Sequence, residues 1–126
     1  MLKVENISTG YGKKQVLFDV SFEVSKGEIV LLAGGNGSGK STLLKIMARL
    51  LTTPAGTVSI ANKNIASYRI QALAKIVATV PEEIIVNFPF SVEELVLMGR
   101  TPHLSFLQPL SAIDHAKVKA CMEKTS

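Results

Sequence analysis

The stretch Gly34-Gly35-Asn36-Gly37-Ser38-Gly39-Lys40-Ser41-Thr42 decides how the rest of the chain is interpreted. Its first and sixth residues are glycines, and the sixth is followed by Lys40 and Ser41, which matches the pattern G-x-x-x-x-G-K-[ST]. Glycines let successive backbone N–H groups converge on a polyphosphate, because no Cβ stands in the way. The pattern therefore predicts that all nine residues, called the phosphate loop below, line a nucleotide site.

Two side chains of the phosphate loop carry distinct chemistry. The Lys40 ammonium can neutralise the β and γ phosphates, which makes it the first candidate catalytic residue. The Ser41 hydroxyl is expected to bind Mg²⁺. A helix that begins here would point the positive end of its dipole at the same phosphates. The predicted ligands are a nucleotide polyphosphate and Mg²⁺.

The flanks of the phosphate loop support this prediction. Residues 28–33 form a short apolar run that is typical of a buried parallel strand. Residues 40–51 place apolar side chains at helical spacing, which predicts an amphipathic helix with these inward-facing residues: Leu43, Ile46, Met47, Leu50 and Leu51. Strand, glycine loop and helix follow in the order that a P-loop site requires, which disfavours a glycine-rich turn without a ligand.

Composition limits the class of protein. The chain has 126 residues, 47% of them hydrophobic, which suits one small domain with a core rather than a disordered segment. A net charge of +4 could indicate nucleic acid, but the basic residues are dispersed, so we expect no nucleic-acid partner. The single Cys121 excludes an internal disulfide, and its expected helical position favours a packed thiol.

The segments before and after the phosphate loop predict further strands. Residues 1–8 indicate a first strand, and residues 16–24 indicate a second that returns beside it as an antiparallel ribbon. Strict alternation within the second strand predicts one shared face for three side chains: Val20, Phe22 and Val24. Residues 57–60 are predicted to form another short strand, and residues 76–80 a buried one.

Helices are predicted to dominate from residue 91 onward. Ser91 and Glu94 form a capping box, which predicts a helix through Met98 that ends at Gly99. A second helix is predicted to start at residues 111–114, with the following inward face: Ile113, Ala116, Ala120 and Cys121. The predicted domains are 1–90, a partial nucleotide-binding core with an antiparallel β subdomain, and 91–126, the beginning of a helical subdomain.

Several of these segments together resemble the N-terminal part of the ATP-binding subunit of an ABC transporter. Besides the phosphate loop, the resemblance rests on three segments: Gly10-Tyr11-Gly12, Asp19-Val20-Ser21-Phe22 and Gly27-Glu28-Ile29-Val30. It implies a truncated α/β fold, a P-loop NTPase core with an N-terminal antiparallel β ribbon and the start of a helical subdomain. It also implies that the nucleotide is ATP and that Tyr11 stacks on its adenine.

The segment Val80-Pro81-Glu82 lies where the family carries Val-Pro-Gln, whose glutamine reaches Mg²⁺ and the attacking water. By this resemblance Glu82 is the second candidate catalytic residue and, with Ser41, a candidate metal ligand. A carboxylate can still hold Mg²⁺, although it adds negative charge near the γ-phosphate.

Residues 88–92 and 98–103 resemble the branch of the family that serves iron–siderophore, haem and cobalamin importers. The resemblance implies an energy-coupling ATPase that pairs with a second copy of itself and with membrane-spanning subunits. We expect a cytoplasmic protein, peripheral on the inner face of the cell membrane, that docks through residues 83–100. The lone His103 is not expected to bind a metal.

The family's Leu-Ser-Gly-Gly signature, its Asp-Glu strand and its switch histidine do not occur in this sequence. We therefore interpret the chain as a fragment that binds nucleotide without turning it over. Two alternatives stay open: a soluble P-loop kinase and a non-enzymatic, nucleotide-dependent interaction module. The N-terminal ribbon and Tyr11 argue against the kinase, because such kinases usually begin at the strand before the phosphate loop.

Overall fold

A computed structural model describes residues 1–82, 88–105 and 107–125. The chain divides into two compact units, Met1–Arg69 and Ile70–Ser126. The first unit contains the following elements: β1 (Leu2–Tyr11), β2 (Lys14–Val24), α1 (Lys40–Met47), β3 (Ala55–Ile60) and β4 (Lys63–Asn64). The described residues of the second unit form three α-helices, α2 (Ile70–Leu73), α3 (Val92–Met98) and α4 (Ala112–Glu123), and a short 3₁₀-helix at Thr101–His103. Within the described ranges, none of the helices has the length and apolar character needed to cross a membrane.

The predicted ribbon is confirmed as part of a four-stranded antiparallel sheet with the order β2-β1-β3-β4. Two residues with positive φ interrupt the pairing of β1 with β2: Asn6 at 52° and Asp19 at 47°. The Asn6 side-chain amide donates to Asp19 Oδ1 at 2.7 Å, and the Asp19 backbone N–H donates to Ser8 Oγ at 2.8 Å. Side chains therefore supply hydrogen bonds where the strand irregularities remove them.

Buried apolar side chains in the first unit come both from this sheet and from the helix of the phosphate loop. Strands β1, β2 and β3 contribute four buried apolar side chains: Val4, Ile7, Leu17 and Val58. Helix α1 buries Leu43 and Ile46, three residues apart, as its amphipathic pattern predicts. Val16 and Leu17 of β2 also lie beside Gly39, so the end of the phosphate loop packs against this strand.

The prediction of a buried strand at residues 28–33 is wrong for this structure. The segment forms no strand, and the side chains of Ile29 and Leu31 are 96% and 87% exposed. Residues 76–80 likewise form no strand. A strand inside a parallel sheet gains its hydrogen bonds and its burial from neighbours on both sides. Among the described residues, neither segment has a paired strand beside it, so most of their apolar side chains are exposed to solvent.

Helix α1 ends at Met47 and is therefore four residues shorter than the predicted helix over 40–51. Arg49 follows in a left-handed conformation with φ of 57°, and the Leu50 N–H then donates back to the Lys45 carbonyl at 2.8 Å. This pattern closes the helix end by satisfying its last carbonyls, as in a Schellman motif. Leu50 is consequently exposed instead of inward-facing.

In the second unit the predicted capping box on Ser91 is confirmed for α3, and the predicted helix start at residues 111–114 is confirmed, with Ser111 and Asp114 forming a second capping box at α4. The predicted inward face of α4 is wrong, since Ile113 and Cys121 are exposed while Asp114 and Val118 are buried. The apolar pattern alone suggested the other face, but an ion pair draws Asp114 inward. The predicted domain boundary at residue 90 refers to the complete fold and stays a prediction.

Candidate nucleotide site

The backbone of the phosphate loop takes the conformations that its glycines were expected to provide. Gly37 has φ of 79° and Gly39 has φ of 92°, both in the left-handed region that L side chains rarely adopt. A Cβ at Gly35 or Gly37 would meet no atom within 4 Å, so the loop is open on that side. A Cβ at Gly39 would instead lie 2.6 Å from Leu17 Cδ2. The phosphate loop is thus open to solvent at Gly35 and Gly37, while its base, at Gly39, packs tightly against β2.

The start of α1 is available to an anion. Gly39 is its N-cap, no described side chain caps it, and its first turn contains no acidic residue. The first N–H groups of a helix lack carbonyl partners within it and carry partial positive charge. A bound phosphate would satisfy these donors and the dipole at once. Ser41 is exposed in this first turn, whereas Thr42 is buried.

The Lys40 ammonium lies across the phosphate loop. Its Nζ donates to the carbonyl oxygens of Gly34 at 2.7 Å and of Gly35 at 2.9 Å. Both acceptors are neutral, so a phosphate oxygen offers the ammonium a stronger, charge-assisted partner. Open glycines, uncapped N–H groups and a nearby ammonium form a donor set that fits a polyphosphate, with the Ser41 hydroxyl beside it for a cation.

Tyr11 lies close to the phosphate loop although 31 positions separate it from Thr42. Its hydroxyl lies 3.3 Å from Thr42 Oγ1, while the residue as a whole remains 55% exposed. Sequence alone placed Tyr11 near the nucleotide only through the family resemblance. The fold brings it to the helix of the loop because β1 packs in the same unit as α1.

This geometry agrees with comparisons to known proteins. The sequence model described as "ABC transporter" matches residues 17–126. The chain belongs to this family. It is 36% identical over 124 residues to the iron(3+)-hydroxamate import ATP-binding protein FhuC of Bacillus subtilis, covering 98% of this chain and 46% of that protein. It is 39% identical over 102 residues to the hemin import ATP-binding protein HmuV of Thermobifida fusca, covering 81% of this chain and 36% of that protein.

A solved structure supports the fold. The chain resembles an inward-facing conformation of a putative metal-chelate type ABC transporter, with a TM-score of 0.77 and 26% identity, over 98% of this chain and 43% of that one. The predicted α/β class with an N-terminal antiparallel sheet is therefore confirmed as that of an ABC ATPase domain. The chain spans less than half the length of these relatives.

The remaining predicted site residue, Glu82, is exposed in the second unit. Its catalytic and metal-binding roles stay predictions, and residues 83–87 of the predicted docking surface lie outside the described residues. Partial desolvation and nearby positive charges lower the pKa of His103 below its ordinary value. In the described part of the chain, no group of three or more His, Cys, Asp or Glu side chains is arranged to hold a metal ion.

The second unit has two features that no sequence pattern predicted: an ion pair on Asp114 and two exposed phenylalanine rings. Arg100 Nε lies 2.9 Å from Asp114 Oδ1, which joins the segment after α3 to the start of α4. Hydrogen bonds from Ser111, reinforced by Arg100, lower the pKa of the Asp114 carboxyl below its ordinary value. The sequence predicts a helix start at residues 111–114, but no local pattern indicates a partner for Asp114 that is 14 residues away. Phe88 and Phe90 are 68% and 42% exposed, so neither ring is buried in a core.

Proposed function

We propose that this chain is the nucleotide-binding part of the ATP-binding subunit of an ABC importer for iron chelates or a related metal-chelate cofactor. The geometry of the phosphate loop carries the nucleotide assignment, because open glycines, an uncapped helix start and Lys40 converge on one place. The names of the iron-hydroxamate, hemin and metal-chelate relatives support the substrate class.

In this proposal each part of the loop has its own task. The backbone N–H groups of the loop and the first turn of α1 hold the phosphates, and Lys40 turns from the Gly34 and Gly35 carbonyls to the β and γ phosphates. Tyr11 contacts the adenine. Ser41, with Glu82 as its predicted second ligand, would hold Mg²⁺. When bound, this ion would neutralise charge on the phosphates.

Hydrolysis and transport need parts that this sequence does not contain. A family ATPase uses an Asp-Glu pair to anchor Mg²⁺ and activate water, and the signature of an opposing subunit to close the site. Neither motif occurs in these 126 residues. We therefore expect nucleotide binding with phosphate release near background. In the complete subunit, two copies would close on ATP and drive the membrane-spanning partners from the inner face of the membrane.

Exposed apolar side chains at the start of α3 support the docking role proposed for residues 83–100. The rings of Phe88 and Phe90 contact each other edge to face with their centroids 6.1 Å apart, and Val92 at the start of α3 is also exposed. The structure buries no residue of α3. Neighbouring apolar side chains in solvent are typical of a protein interaction site.

Calorimetric titration with ATP and Mg²⁺ tests the nucleotide assignment, using Lys40→Ala against a matched control, Lys45→Ala. Lys45 is an exposed lysine of the same helix, in its last turn and away from the phosphates. A hydrogen bond to a charged group contributes about 1.5 to 3 kcal/mol, so Lys40→Ala should weaken ATP by about 10- to 150-fold.

The two carbonyl contacts that Lys40 leaves on binding place the expected loss toward the lower end of this range. Lys45→Ala should bind like the wild type. Equal affinities for wild type and Lys40→Ala would refute the assignment of the loop as the phosphate site.

A further inference from the structure

Two residues on different elements anchor the tyrosine ring beside the phosphate loop. The backbone of Tyr11 is paired with Lys14 at the end of the ladder between β1 and β2. The hydroxyl at the other end of the side chain lies 3.3 Å from Thr42 Oγ1. The side chain is therefore held at both ends, while much of the residue faces solvent.

Thr42 is a rigid partner for this contact. It lies in the first turn of α1 and is only 8% exposed. Branching at Cβ restricts a threonine in a helix to few rotamers, and burial restricts it further. Its hydroxyl therefore presents a nearly fixed point to the Tyr11 hydroxyl.

We propose that Thr42 is a positioning residue that orients the Tyr11 ring, so that the base of a nucleotide meets a stacking surface that is already ordered. This inference rests on the proposed function, because it assumes that the loop beside the ring binds nucleotide. A tyrosine has only two rotatable side-chain bonds. Fixing the ring before the ligand arrives spares the binding step the entropy of ordering it.

The contact also links the two halves of the ligand. Thr42 belongs to the helix whose first N–H groups face the phosphates, and Tyr11 is the proposed contact of the base. An orientation set by Thr42 therefore fixes the position of the base relative to the phosphates. Ligands that have both parts should gain from it, and ligands with phosphates alone should not.

The expected size of the effect follows from the distance. A separation of 3.3 Å is long for two hydroxyl oxygens, which usually approach to within 3.0 Å, so the bond is weak. A weak intramolecular hydrogen bond is worth about a two- to fivefold change in an equilibrium constant. Removing either hydroxyl should therefore reduce ATP affinity by about two- to fivefold.

Tyrosine fluorescence tests the orientation without any ligand. The chain has two tyrosines and no tryptophan, so Tyr68→Phe leaves Tyr11 as the only fluorescent ring of this kind. In that background, the fast component of the fluorescence anisotropy decay reports local motion of the Tyr11 ring. Its amplitude should be small when residue 42 is threonine or serine, and larger in Thr42→Val. Equal decay for all three would overturn the inference.

Binding of ATP and of inorganic triphosphate tests the consequence for the ligand. Tyr11→Phe should lose ATP affinity by this small factor and keep triphosphate affinity. Thr42→Val and the double variant should lower the ratio of ATP affinity to triphosphate affinity by the same factor, whereas Thr42→Ser should leave that ratio unchanged. Additive losses in the double variant would overturn the inference. So would an equal loss of ATP and triphosphate affinity with Thr42→Val, because the hydroxyl would then act on the phosphates alone.

The outcomes separate this inference from the proposed function. A wild-type chain that binds neither ATP nor triphosphate refutes both. Normal ATP binding combined with a Tyr11 ring whose motion does not depend on Thr42 refutes the positioning role alone.

Discussion

Replacing Gly39 by alanine should destabilise the first unit more than the same change elsewhere in the phosphate loop. Gly39 has φ of 92°, and a Cβ there would lie 2.6 Å from Leu17 Cδ2 and 3.1 Å from Val16 Cγ1. The substitution therefore imposes two costs at once. One is the left-handed backbone, and the other is a clash with strand β2.

The two costs can be estimated separately. A left-handed conformation costs an L residue about 1 to 2 kcal/mol, and overpacking a buried contact costs about 1 to 3 kcal/mol. Gly39→Ala should thus lower the free energy of unfolding by about 2 to 5 kcal/mol. Gly37→Ala, with φ of 79° and open space around its Cβ, should lose only about 1 to 2 kcal/mol. Gly35→Ala meets neither obstacle and should stay within about 0.5 kcal/mol of the wild type.

Urea unfolding followed by circular dichroism measures all three variants beside the wild type. The expected order of stability is Gly35→Ala, then Gly37→Ala, then Gly39→Ala. If Gly39→Ala proved as stable as Gly35→Ala, β2 would not pack against the base of the loop, and the description of that base would be wrong. If Gly37→Ala matched Gly39→Ala, the clash would contribute nothing beyond backbone strain.

Three further predictions concern other parts of the chain. Folding lowers the pKa of Asp114 from its unfolded value of about 4. The Asp114 carboxylate should therefore stabilise the folded chain fully above about pH 4 and lose this contribution as the pH falls toward its folded-state pKa. Urea unfolding at pH 7 and pH 3 should show the loss in the wild type but much less of it in Asp114→Asn. In a complete transporter, replacing the exposed Phe88 and Val92 by serine should reduce transport while ATP affinity stays unchanged, and normal transport would place the docking surface elsewhere. Ala61 has φ of 50°, so Ala61→Gly should raise the melting temperature by relieving about 0.5 to 1 kcal/mol of backbone strain, and an unchanged or lower value would contradict this.

Much of this molecule could be predicted from sequence because local interactions determine it. Positive φ at Gly37 and Gly39 follows from residue type, and the capping boxes at Ser91 and Ser111 follow from residues three positions apart. The antiparallel ribbon follows from alternation within short segments joined by a glycine turn. These features need only neighbours in the chain, so the sequence alone determined the phosphate loop, the ribbon and the starts of α3 and α4.

Only the tertiary structure decided the features that depend on residues far apart in sequence. It places Tyr11 against Thr42 and joins Arg100 to Asp114, and that ion pair reverses the expected inward face of α4. The apolar run at 28–33 has the composition of a buried strand, yet it lies exposed because no described strand pairs with it. Burial and pairing are properties of two partners, and a pattern in one segment cannot show whether its partner is in place.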